Sequence, residues 1–355
     1  MITVCNQFEI ILNTARSFGG FEEITSTADV AVWEAIASSY QKHEVTSNSG
    51  EVLAEITIDW IPAVEYARKC KSLYTQPIEK WEKILGENPD FFQRSVICSA
   101  YITFESKRAN CSPSAGKDFL QQLLYEIYLV ANLSVPGSFN LFKSYIRAKG
   151  AETDKDPFSQ TELKLSEFLF ENSWHCSQER PFIQVGFLPF EDVFTWYKRL
   201  NVGLKQVAKE TAEKALFTLL HLGRTSFLEP EATLWIARAL EALYETSPGG
   251  SFQLLHRRIS VLFGFDDQQQ TTIKKQLREF YNVRNSFAHG GGSICHPMAN
   301  ERWDPLVDKV FGRTIDANSI AAAILVGSVQ KLIRHKAVSL IFNEQVLFIR
   351  AGDSC

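Results

Sequence analysis

The sequence predicts a mainly α-helical fold: a C-terminal antiparallel helical bundle preceded by an α+β or mixed N-terminal region. From about residue 201, apolar side chains recur at three- and four-residue intervals through 204–222, 230–245, 252–262, 270–289 and 317–337. Turn signals punctuate these segments, namely Ser247-Pro248-Gly249-Gly250 and Gly290-Gly291-Gly292, and short links between helices favour antiparallel neighbours. Before residue 201 the signal alternates between strand-like and helix-like stretches. Three units follow: a mixed region at 1–155, a connecting aromatic-rich segment at 156–200 and a helical domain at 201–355.

Within the first region, Phe8-Glu9-Ile10-Ile11-Leu12 and Ile56-Thr57-Ile58-Asp59-Trp60 alternate like strands. A helix is expected over 30–41 and a Ser/Asn/Gly-rich break over 46–50. Residues 62–85 and 117–133 carry helical periodicity, and the polar stretch 150–156 reads as a linker. A helix-like 162–170 follows, then an aromatic run over 182–196 that fits neither period. In the last third, 232–244 holds only Arg238 and Glu241 as charges, which predicts the most buried helix of the bundle. A strand-like stretch covers 337–350.

Composition bounds the function. The chain has 355 residues, 45% of them hydrophobic, and a formal charge of -4, so any nucleic-acid contact must come from a local patch. Seven cysteines are scattered without a C-x-x-C pair, which favours reduced thiols and a cytoplasmic protein. The N-terminus lacks a signal-peptide pattern, and no stretch of about 18 apolar residues is read, so no membrane-spanning helix is expected.

The chemistry concentrates in Tyr281-Asn282-Val283-Arg284-Asn285-Ser286-Phe287-Ala288-His289-Gly290-Gly291. At about 100° per residue, Arg284 falls within about 60° of Ile273, Leu277, Phe280, Phe287 and Ala288, the middle of an apolar stripe. A guanidinium there is costly unless it is paired or meets an anion. Beside the stripe runs a polar strip of Lys274, Arg278, Asn282, Asn285 and His289, a track suited to a phosphate backbone. Asn285 and His289, four apart, can share a face, so the asparagine is placed to set the imidazole's tautomer. The glycines after His289 suit a left-handed helix cap, and the helix C-terminus favours the protonated ring. Between Ser251 and Gly292, Arg257, Arg258, Lys274, Lys275, Arg278 and Arg284 outnumber Asp266, Asp267 and Glu279, a positive region in an acidic chain.

An arginine and a histidine five apart are common; the neighbours make this pair specific. Asparagine after the arginine, Tyr281 three before it, glycine after the histidine, and a late position in a helical bundle together resemble the signature of HEPN domains, the ApeA-like branch in particular. Upstream, Ala239-Leu240-Glu241-Ala242-Leu243-Tyr244 is similar to that branch as well, and the resemblance spans about 201–345. It implies an all-helical HEPN-like domain that dimerises so that two Arg/His motifs face one cleft and cut RNA without metal or cofactor. Carried over, Arg284 would bind the scissile phosphate and stabilise its transition-state charge, and His289 would act as general base or acid. Asn285 would orient both, while Lys274, Arg278, Asn282 and Tyr281 would bind substrate. The resemblance further implies a prokaryotic antiphage or toxin effector of the abortive-infection kind. Residues 1–155 would then be a sensor or regulatory region, and a phage-derived or nucleotide trigger or an antitoxin a further partner.

Blander readings stand beside this one. Arg284 could be a structural arginine paired with a carboxylate such as Glu241, and the bundle a non-catalytic RNA- or nucleotide-binding dimerisation scaffold. His289, Cys295 and His296 suit zinc but lack a fourth ligand at the usual spacing. His175-Cys176 suggests a nucleophile without a placeable partner. His256-Arg257-Arg258 reads as helix surface, and the aromatic run 182–196 as packing rather than base stacking.

Overall fold

The computed structural model describes residues 4–13, 23–47, 49–77, 80, 83, 86–87, 95–104, 112–149, 160–226, 229–246, 252–296 and 298–342. It is mostly helical, with an antiparallel sheet in the N-terminal half. The strands are β1 (Val4–Leu12), β2 (Lys42–Thr46), β3 (Val52–Ile58), β4 (Val96–Phe104), β5 (Ser144–Ala148) and β6 (Gln160–Leu163), in the order β2-β3-β4-β1-β5-β6. β1 and β4 pair over nine residues without a slip, from Val4 opposite Phe104 to Leu12 opposite Val96. Strict alternation along β4 puts Val96, Cys98, Ala100, Ile102 and Phe104 on the same buried face as Phe8, Ile10 and Leu12 of β1.

Helices α1 (Glu23–Ser39), α2 (Ile61–Tyr74) and α3 (Pro113–Ser134) belong to this half. α3 starts where Ser112 accepts a bond from the Ala115 N–H and Pro113 takes a first-turn position, both ordinary start signals. It lies on the sheet closely enough that a Cβ at Gly116 would meet the Phe8 ring at 3.1 Å. Its second half, from Glu126 to Ser134, is buried all round, as a helix wedged between two layers must be.

The remaining helices are α4 (Phe168–Glu179), α5 (Phe190–Arg199), α6 (Thr211–Arg224), α7 (Pro230–Leu243), α8 (Phe252–Phe263), α9 (Asp267–Ala288) and α10 (Leu306–Arg334), with a 3-10 turn at Pro181–Ile183. α10 packs against α4, α7 and α9 and is buried almost continuously from Ile320 to Gln330. Gln330 ties the layers together. Its amide donates to the carbonyls of Leu133 (2.9 Å) and Gly186 (2.7 Å) and accepts from the Gly186 N–H (3.0 Å). Buried residues of sheet and helices form one continuous apolar core.

Several expectations change. The bundle's longest continuously buried stretch is Ile320–Gln330 of α10, not 232–244, because this part of α10 is covered on several sides whereas α7 keeps Arg238 on a solvent face. α10 is also long and apolar enough by composition to cross a membrane, yet most of that stretch is enclosed by its neighbours. The helix expected over 162–170 is β6 followed by the start of α4, since Leu163 completes a strand pair with Ser144. Residues 203–210 stay irregular, and α6 begins only where Glu210 and Glu213 form a reciprocal capping box. The aromatic run divides into the 3-10 turn and α5. Residues 337–342 form no strand. The linker 150–156, the turn 247–250 and residues 343–350 lie outside the described residues, as does part of 78–85.

Gly327 lets α10 approach its neighbours: a Cβ there would stand 2.8 Å from the Ile183 carbonyl oxygen and 3.2 Å from the Phe263 ring. Because the first contact is backbone, it cannot rotate away. Gly327→Ala is expected to lower unfolding free energy by about 1–3 kcal/mol in chemical denaturation, the usual cost of overpacking a core.

Candidate functional site

α9 carries the motif, and both its ends are defined by side-chain and backbone chemistry. At the start, Asp266 accepts from the Gln269 N–H (2.8 Å) while Gln269 returns a bond from its side-chain oxygen to the Asp266 N–H (3.2 Å). This box begins the helix three residues before the expected 270, and its D-x-x-Q signal is present in the sequence. At the end, Gly290 adopts φ 71°, the Gly291 N–H bonds the Ser286 carbonyl (2.8 Å) and the Gly290 N–H bonds that of Phe287 (3.4 Å). That is a Schellman cap, as the triple glycine predicts. His289 is the last residue before it, just outside the helix and exposed.

Ile273, Leu277, Phe280 and Val283 bury one side of α9 against α7, α8 and α10. Arg284 follows one turn after Phe280 on this stripe and is half-buried. Phe287 and Ala288, expected to continue the covered stripe, are exposed, and Phe287 lines an open groove beside the first turns of α10. Arg284 therefore sits at the open mouth of the stripe rather than in its middle.

Its guanidinium donates from Nη1 to Asn285 Oδ1 at 2.9 Å, while Nε is buried without a partner. No ion pair to Arg284 occurs among the described residues. Glu241 of α7 instead accepts from the Tyr281 hydroxyl at 3.4 Å. Burial first, then Glu241, pushes the Tyr281 phenol well up, and the nearby positive charge of Arg284 opposes that shift. The Asn285 side chain bonds the arginine, not the imidazole; only the His289 backbone N–H reaches Asn285, at the carbonyl oxygen (3.0 Å).

The rest of the polar strip divides. Arg278 is exposed and lies over the Phe252 ring at 5.9 Å, and Lys274 is half-buried. Asn282 donates to Glu279 Oε2 (3.3 Å), whose other oxygen holds Arg313 of α10. Arg313 first, then Asn282, keeps the Glu279 carboxyl below the usual range against a contrary effect of burial. His256 is buried, not surface, with Nε2 2.9 Å from the Gln270 carbonyl oxygen, and Arg258 caps the Tyr244 carbonyl beneath the Phe342 ring. Cys176 is buried and its thiol is pushed up by that burial, which suits packing rather than nucleophilic attack. Among the described residues no three His, Cys, Asp or Glu gather to hold a metal ion, and none of the five described cysteines is in a disulfide.

In the segment after the cap the sequence pointed to Cys295 and His296, not to its apolar residues. A groove of about 880 Å3 adjoins the motif helix through Val283, Ser286 and Phe287 and runs to the start of α10. Its rim carries Ile294 (86% exposed), Trp303 (80%), Met298 (73%) and Leu306 (65%), an apolar concentration unusual for a free surface. The only signal was large apolar residues in an aperiodic stretch. No protein-family model, curated protein or solved structure matches this chain.

Two outcomes test the local physics. Gly290→Ala forces a Cβ into a left-handed conformation and should destabilise the helix end by about 1 kcal/mol in thermal unfolding. The depressed Glu279 carboxyl contributes stability above the unfolded value of about 4.3, lost as pH falls through its lower folded value. Stability measured from pH 6 to 3 should fall less steeply in Glu279→Gln than in wild type.

Proposed function

We propose that this chain is a HEPN-like, metal-independent endoribonuclease that works as a homodimer. The observation that carries the reading is Arg284: a half-buried guanidinium without a carboxylate partner among the described residues, aimed by Asn285, five residues before an exposed histidine at a glycine-capped helix end. A cation so placed favours an anion in the partly desolvated mouth of the stripe.

In the proposed reaction, an imidazole removes the proton of a ribose 2′-OH. The 2′-oxygen attacks phosphorus, the P–O5′ bond breaks, and a second acid protonates the departing 5′-oxygen. The products end in a 2′,3′-cyclic phosphate and a 5′-OH. Arg284 stabilises the charge on the pentacoordinate phosphorus, while Lys274 and Arg278 follow the backbone. One chain offers one His289; a second copy supplies the other. The apolar rim of Ile294, Met298, Trp303 and Leu306 beside the motif supports a face for that copy. Under this reading the N-terminal half regulates the site in a cytoplasmic antiphage or toxin effector.

Incubation with RNA in EDTA should yield cyclic-phosphate ends and leave all-DNA substrate intact, since DNA lacks the nucleophile. His289→Ala and Arg284→Ala should each lower the rate by about 10²–10⁴-fold, and His289→Ala should relieve toxicity on expression. RNA that is bound but uncut by wild type and variants alike would favour the scaffold. Trp303→Glu should shift sedimentation toward the monomer and lower cleavage with it.

A further inference from the structure

We propose that Tyr281 is a positioning residue that keeps Arg284 unpaired by occupying Glu241. The inference rests on the RNase reading for its purpose, though not for its geometry. Tyr281 and Arg284 stand three apart and share one face of α9. Glu241 reaches that face from α7, and its Oε1 accepts the Tyr281 hydroxyl at 3.4 Å. The Tyr281 hydroxyl meets Glu241 and Arg284 follows one turn along the same face; burial pushes the phenol up, Glu241 adds to that and Arg284 opposes it.

A half-buried guanidinium and a half-buried carboxylate that share one phenol as a neighbour attract more strongly than an exposed pair would. They nonetheless form no ion pair. Among the described residues the Arg284 guanidinium bonds only Asn285, and its Nε is buried and unbonded. The phenol bonds the carboxylate and is held edge-on by two rings, Phe280 (centroids 5.5 Å, 85°) and Phe252 (5.9 Å, 70°), which restrict its swing. Its hydroxyl satisfies the carboxylate that would otherwise turn to the arginine. The guanidinium thus keeps its charge for an incoming phosphodiester, and docking breaks no internal salt bridge.

Removing the hydroxyl should let Glu241 capture Arg284. Tyr281→Phe is expected to raise KM for RNA about tenfold with a smaller effect on kcat, and adding Glu241→Gln should restore it. Mere loss of packing would not be rescued by the second change. A readout independent of cleavage is the thermal midpoint of the full chain. In the wild-type background the shifts caused by Glu241→Gln and Arg284→Ala should add; in the Y281F background they should fail to add, because the two groups are then paired. A Y281F variant that cleaves like wild type, or is not rescued, overturns the proposal, as do midpoints that add in both backgrounds. If wild type cuts no RNA, the RNase reading falls, and the midpoints still decide the role of Tyr281.

Discussion

The burial of α10 is the constraint on which the rest of the structure depends. From Ile320 to Gln330 it is apolar on almost every side, so no single neighbour can cover it. α4, α7 and α9 enclose it, Gly327 permits the closest approach, and Gln330 returns three hydrogen bonds to the layer beneath. A buried amide with its bonds made is stabilising, whereas one left unsatisfied would cost about 1–3 kcal/mol. That polar clamp registers the helical half against the end of α3 and so against the sheet.

The same packing runs out at one end of the molecule. The first turns of α10 and the last of α9 extend past their neighbours, leaving Phe287 and Leu306 in solvent beside Ile294, Met298 and Trp303. Arg284 and His289 lie at this end. Their setting is therefore a consequence of helix lengths: the buried stripe on α9 stops being covered one turn before the motif closes. Glu279 and Arg313 join the two helices just behind it.

Charge in the site is managed by neutral partners. Asn285 aims the guanidinium without neutralising it, and the Tyr281 hydroxyl engages Glu241. A direct carboxylate partner would have stabilised the arginine while diminishing its attraction for an anion. The arrangement resembles neither a surface cation, which solvent would screen, nor a structural salt bridge.

What the sequence determined by itself is local: the helical periods of α7, α8 and α9, the strands around Phe8 and Ile56, the glycine cap after His289, and the placement of Arg284 on the apolar side of its helix. Each depends on residues within a turn or two of one another. Tertiary structure decided the rest. β6 was hidden because four residues become a strand only when β5 lies beside them, and α10 outranks α7 in burial because coverage belongs to neighbours, not to composition. Asn285 bonds the arginine rather than the histidine because His289 leaves the helix at the cap. Whether Glu241 would hold Arg284 or Tyr281 depended on how α7 crosses α9, a relation between segments 40 residues apart that no periodicity records.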